Sequence, residues 1–125
     1  MATPNKPAGM TTLCPYFLVA DADKFLSFLK DIFEAQESGV YRDDDGRIMH
    51  AEVRIDDSVI MFSNSTDLYP PLTCGVFIYV TGTDEVYNKA LAAGATSEQA
   101  PEDKDYGRSA GIKDPFGNVW WLTQL

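Results

Sequence analysis

The chain has 125 residues, 45% of them apolar and 23% charged, with nineteen carboxylates against ten Lys and Arg for a net charge of −9. That length lets one domain bury roughly two-thirds of the unfolded chain's surface, and no apolar run reaches the ~20 residues of a membrane span. The acidic field repels nucleic acid and anionic membranes; it serves either solubility or the attraction of a cationic ligand.

The opening segment MATPNKPAGM contains two prolines, no periodicity and neither the apolar core nor the cleavage pattern of an export signal. Residues 1–10 are therefore expected to be a flexible tail, and the protein to be cytoplasmic. Cys14 and Cys74 are the only cysteines, spaced neither as a metal knuckle nor as a redox pair. They are expected to be reduced thiols.

TTLCPYFLVA (11–20) is β-rich and ends at Asp21 and Asp23, either of which can cap a helix. Phe25, Leu26, Leu29, Ile32 and Phe33 recur at helical spacing and predict an amphipathic helix over 23–34. ESGVYR reads as a strand, DDDG as a turn, RIMHAEVRI as an alternating strand, DDS as a turn and VIMFS as another strand. The proline-containing stretch 64–73 reads as a linker, and the order then repeats. CGVFIYV (74–80) is a strand, and Thr83 is expected to cap a helix over 83–93 with Asp84 and Glu85 in its first turn. Gly94 closes that helix. TSEQ reads as a short strand and RSAGIK as another; DPFGN is a hairpin turn before VWWLT. Arg108 is expected to tie this last turn down near Asp114.

The predicted architecture is therefore α+β: a single domain over 11–125 made of two βαβββ modules, about 11–63 and 74–125, related by an offset of about 60 residues. Within the last strand, alternation puts Trp120 and Leu122 under the helix and Trp121 on the opposite, open face.

The doubled unit, with CPYFLVADADKFLSFLKDIFEA, GRIMHAEVRIDDSVIMFS and YGRSAGIKDPFGNVWWL in this order, resembles the vicinal oxygen chelate superfamily. That superfamily contains glyoxalase I, extradiol dioxygenases, and bleomycin and fosfomycin resistance proteins. Among them the chain is most similar to the small phosphonate-operon-like branch. It departs from that branch in DYGRSAG, one residue shorter than the usual Trp-Gly-Asp-Arg run, and in Ala110, where a glycine is expected. The resemblance implies curled sheets around a cleft, and usually a homodimer. It also implies, in the metalloenzymes, four His, Gln or Glu ligands on the first and fourth strands of the modules. Carried over through the flanking motifs, those positions are Cys14, Met61, Gly75 and Trp121. Gly75 has no ligating side chain, Trp121 offers only an N–H, and Met61 is a soft thioether. No metal and no cofactor are therefore expected.

Alternation next assigns the open faces. Cys14, Tyr16 and Leu18 share one side; Gly75, Phe77 and Tyr79 share another; Met61 goes with Val59, and Trp121 with Val119. In 48–55, Met49, Ala51, Val53 and Ile55 are expected to face the helix, leaving His50, Glu52 and Arg54 on the open side. The candidate ligand-binding residues are Tyr16, His50, Glu52, Met61, Phe77, Tyr79 and Trp121. Apolar walls with a few polar anchors suit a small-molecule pocket, but aromatics at this period serve equally in a core or a dimer contact. Three functions follow: a metal-free binder of a small aromatic or cationic molecule; a vicinal oxygen chelate enzyme with a non-standard site, such as His50 and Glu52 acting as acid and base; or an interaction module. With one histidine and no glycine-rich phosphate loop, no triad or nucleotide motif is assignable.

Overall fold

Asp21 starts the first helix because its Oδ1 accepts the backbone N–H of Lys24 at 3.1 Å, filling one orphan donor of the first turn. The computed structural model describes residues 2–125, which divide into two units, the first ending at Pro71 and the second Leu72–Leu125.

The first unit runs β1 (Tyr16–Val19), α1 (Ala22–Phe33), β2 (Gln36–Arg42), β3 (Ile48–Ile55) and β4 (Ser58–Asn64). Its sheet has the order β1-β4-β3-β2, with β1 parallel to β4 and the other pairs antiparallel. The helix buries Phe25, Leu26, Phe28, Leu29, Ile32 and Phe33, while Phe17, Val19, Ala51, Val53 and Phe62 are buried on the strands. Each buried Val, Leu, Ile or Phe among them stabilises the unit by about 1.5–3 kcal/mol. Phe25 meets Phe62 edge-on at 5.0 Å, the preferred geometry for facing aromatics. The helix stops at Glu34, which adopts the left-handed conformation at φ 56°, and the Ala35 N–H closes back on the Leu29 carbonyl at 3.2 Å.

The second unit repeats the order with β5 (Gly75–Tyr79), α2 (Thr83–Ala92), β6 (Thr96–Lys104), β7 (Gly107–Lys113) and β8 (Val119–Gln124). Its sheet is β5-β8-β7-β6, again with the first and fourth strands parallel. Trp120, Leu122, Ala110 and Ile112 are fully buried together with Tyr87 and Ala90 of the helix. The doubled α+β architecture expected from the sequence is what the chain adopts.

The duplication extends to single hydrogen bonds. The first helical N–H, of Ala22 or Thr83, donates to the side-chain amide oxygen of the last residue of the fourth strand, Asn64 at 2.9 Å or Gln124 at 2.7 Å. The next residue, Asp23 or Asp84, is gripped by an arginine through two hydrogen bonds. Arg42 holds Asp23 at 2.8 and 3.1 Å, and Arg108 holds Asp84 at 2.8 and 3.1 Å. These guanidinium contacts lower both carboxyls below the usual aspartate range and raise both arginines.

Several local expectations need correction. The first strand begins at Tyr16, so Cys14 lies before it. Thr83 is the first helical residue and Gly82 occupies the cap position, with no side-chain cap; the Thr83 hydroxyl instead donates to the Arg108 carbonyl at 2.7 Å. The segment after Gly94 is a nine-residue strand rather than a short one, and as an edge strand it tolerates Pro101. Met49 is 62% exposed and Ile48 buried, because a register shift between Tyr41 and Arg42 turns the start of β3 over.

Arg108 does not reach the last turn; it bonds Asp84 and Asp103. Asp114 organises that turn itself. Its Oδ1 accepts the backbone N–H groups of Phe116 and Asn118, each at 2.9 Å, while Oδ2 accepts Asn118 Nδ2 at 3.1 Å and Trp120 Nε1 at 2.8 Å. Gly117 supplies the positive φ, 93°, that follows a type I turn in this hairpin. Asn118 Oδ1 then accepts the Cys74 N–H at 2.9 Å and anchors the start of β5. A buried carboxylate with this many N–H donors is fully satisfied. Burial, with Asp114 nearby, pushes the Cys74 thiol up.

Candidate functional site

Each sheet has one face without a helix, and the seven residues expected from the sequence fall on these two faces. On the first sheet, Tyr16 is the cross-strand partner of Met61, and Met61 is the partner of Glu52. His50 lies two residues along the same side of β3. Its Nε2 is 3.0 Å from Glu52 Oε1, and its Nδ1 is 3.0 Å from the Tyr16 hydroxyl. Tyr41, paired with His50 across β2 and β3, stacks on the imidazole at 6.2 Å and 29°. Sequence reading missed Tyr41; the alternation of ESGVYR against RIMHAEVRI was the available signal, obscured by the register shift. Arg54 turns away from this group and donates to the Gly9 carbonyl. Val59 shares the side of Met61 but is 1% exposed, so it lines no open face.

On the second sheet Phe77 and Trp121 are cross-strand partners on β5 and β8, and Gly111 is the partner of Trp121 on β7. A Cβ built on Gly111 would meet Trp121 Cζ3 at 2.4 Å and Cε3 at 2.7 Å. The indole therefore lies over the glycine, in space that only a missing side chain leaves. The same Cβ would meet Glu98 Cβ at 3.2 Å, so Glu98 stands on this face too, at the register shift between Ser97 and Gln99. Phe77, Tyr106, Trp121, Gln99 and Ser109 line an open pocket of ≈ 330 Å³. Phe77 and Tyr106 face each other at 6.5 Å and 50°. Trp121 and Phe77 remain 39% and 49% exposed; the polar lining is the Gln99 amide and Ser109, whose buried hydroxyl pairs with that of Thr123. Tyr79 packs edge-on against Phe77 at 5.3 Å and stands outside the pocket, 69% exposed.

Gln99, Tyr106 and Ser109 were not found from sequence. Reading TSEQ as a short strand stopped before the turn that brings Tyr106 back. The pairing of Gly111 with Trp121 needs the β7–β8 register, which a one-residue slip would invert.

The carried-over metal positions can be tested on this register. Cys14 lies outside β1, and the first-strand neighbours of Met61 and Trp121 are Tyr16 and Phe77. Thioether with phenol, and indole with phenyl, are not donor sets for a hard divalent ion. Among the described residues no group of three or more His, Cys, Asp or Glu is placed to hold a metal. The residues present do not fit the divalent centre of the superfamily's metalloenzymes.

Comparison with known proteins agrees with the fold. The chain is 32% identical to the uncharacterized protein Mb0911c of Mycobacterium bovis over 128 residues, covering 90% of this chain and 82% of that one. Among solved structures it is similar to TioX from Micromonospora sp. ML1, with TM-score 0.75, 22% identity, and 91% and 98% of the two chains covered. It is also similar to a glyoxalase/bleomycin resistance protein from Streptomyces sp. CB03234, with TM-score 0.67, 21% identity, and 87% and 96% covered. At these identities the structures show the fold alone. Residues 12–122 match the family described as the Glyoxalase/Bleomycin resistance protein/Dioxygenase superfamily. The chain belongs to that superfamily.

Proposed function

We propose that this protein is a metal-free, ligand-binding member of its superfamily that takes a small, flat aromatic molecule, a cationic one by preference, on the open aromatic faces of its sheets. The observation that carries this reading is the Trp121 indole, seated over Gly111, 39% exposed, and lining one pocket with Phe77 and Tyr106. A rigid, exposed ring with aromatic neighbours is a stacking platform, and a net charge of −9 adds long-range attraction for a cation. Phe77 and Trp121 would provide the walls, with Tyr79 extending them. Tyr16, Met61, His50 and Glu52 would present a second, more polar surface on the first sheet. The donor chemistry at the superfamily's metal positions supports a role without a divalent ion.

We further read the protein as a phosphonate-operon-like branch member that works as a homodimer in the cytoplasm. The motif order supports the first point, the exposed apolar side chains Tyr79, Met49 and Leu13 the second, and two cysteines outside any disulfide the third. No helix among the described residues is long and apolar enough to cross a membrane. Thermal-shift screening of chelator-treated protein against bleomycin and acriflavine tests the binding role. Saturable stabilisation by a flat cation supports it; no shift from either probe, with protein confirmed folded, rejects it.

A further inference from the structure

We propose that Tyr16, His50 and Glu52 form an acid–base site on the open face of the first sheet, with the Tyr16 phenol exchanging a proton with a bound small molecule. This goes beyond ligand binding: it gives a chemical role to the more polar of the two surfaces and does not depend on stacking at Trp121.

The hydrogen-bond distances suit one direction of proton flow. A carboxylate only accepts, so His50 Nε2, 3.0 Å from Glu52, carries the ring proton. In that tautomer the ring's lone pair is on Nδ1, 3.0 Å from the Tyr16 hydroxyl, and is the acceptor for its O–H. Hydroxyl to imidazole to carboxylate is the order in which a hydroxyl gives up its proton as it takes another from a substrate.

The placement is specific. Tyr16 and His50 stand on β1 and β3, which are not neighbours because β4 lies between them. The phenol crosses that strand, on which its partner Met61 sits, to reach the only histidine in the chain. Tyr41 stacks on the imidazole from β2, and the Tyr16 ring lies 5.6 Å from it. The imidazole is thus held by rings from two strands and by hydrogen bonds at both nitrogens. The His50 and Glu52 side chains keep 31% and 27% of their exposure, and Tyr16 as a whole residue is 40% exposed, so all three are open to a ligand on this face.

The surroundings define the substrate class. Tyr16, Tyr41 and Met61 are apolar or aromatic, and the Arg54 guanidinium donates to the Gly9 carbonyl rather than to a member of this group. The site fits a neutral, flat molecule with a weakly acidic C–H or O–H beside an electron-withdrawing group. In the step, that proton passes to the Tyr16 oxygen as the Tyr16 proton passes to His50 Nδ1. The products are a substrate anion and an imidazolium paired with Glu52. Return of the proton, to the same or another substrate atom, or loss of a leaving group, completes an isomerisation or elimination without a co-reactant.

The test uses the full chain and 5-nitrobenzisoxazole. Removal of its C3 proton turns the C–H electron pair into the third bond of a nitrile and breaks the N–O bond to a coloured phenolate. Wild type is expected to accelerate ring opening in proportion to protein. Tyr16→Phe and His50→Gln should lower the rate about 10-fold or more, and Glu52→Gln by roughly 3-fold or more. Tyr69→Phe, an exposed phenol elsewhere, should leave it unchanged. His50 acts through Tyr16 as a positioning residue, so its variant should also lose the acid limb of the pH–rate profile; Tyr16, Tyr41 and Glu52 are the titratable groups around the ring. If a variant fails to fold, nitrogen NMR of the single histidine in wild type decides, with the proton expected on Nε2. No rate above buffer, an undiminished Tyr16→Phe rate, or a proton on Nδ1 overturns the proposal.

Discussion

The benzo edge of Trp121 occupies the space above Gly111, its partner across β7 and β8, so closely that a methyl group there would come within 2.4 Å of the ring. Gly111→Ala should therefore lift the indole off the sheet. The expected result is a shift in tryptophan emission and a loss of about 1–3 kcal/mol in urea unfolding. An unchanged spectrum would mean that the ring is not seated there.

The neighbouring tryptophan has a different role. Trp120 is buried and donates Nε1–H to Asp114. Trp120→Phe keeps most of the apolar volume but removes a donor from a buried carboxylate, which should cost about 1–3 kcal/mol. Trp121→Phe should change stability by less than about 0.5 kcal/mol, as exposed substitutions generally do. Equal losses in the two variants, measured by chemical denaturation, would contradict this division.

That division was legible in the sequence, and so was the fold, because both rest on periodicity. Strand alternation separates Trp120 from Trp121, and helical spacing plus turn residues recover the doubled module. What periodicity does not carry is register. The shift at Tyr41 and Arg42 exposed Met49 and brought Tyr41 onto His50; the shift near Gln99 set Glu98 beside Gly111. Partner choice among charges was equally hidden. Arg108 could not be assigned to Asp84 until the helix start was folded against β7, and Asp114 found its donors in its own turn and in Trp120 of the strand that follows. The candidate site was half legible for this reason: alternation placed Tyr16, Phe77 and Trp121 on the open faces, while Tyr41, Gln99, Tyr106 and Ser109 required the pairing of strands.

Acid should weaken the protein at two defined points. Asp23 and Asp84 have folded pKa values lowered by Arg42 and Arg108. Their contribution is complete above the unfolded aspartate pKa, about 3.9, and is lost as pH falls through the lower folded values. Both pairs are exposed, so each effect is modest. Replacing both arginines by Gln should flatten the fall of the urea midpoint below about pH 4; an unaltered slope would count against these pairs.

Cys74 should react slowly. Burial and the nearby Asp114 raise its thiol pKa, which lowers the thiolate fraction at neutral pH. Iodoacetamide labelling of the native protein should modify Cys74 more slowly than a free cysteine, and unfolding should remove the difference. Equal native rates would show that the thiol is not shielded.

The most direct measurement is a fluorescence titration of chelator-treated protein with acriflavine, wild type beside Trp121→Ala. Stacking on Trp121 predicts saturable quenching at one site per chain in wild type and at least about a 10-fold weaker affinity in the variant, as loss of a stacked ring entails. Undiminished affinity in Trp121→Ala, or binding that appears only after a divalent metal is added, would contradict it.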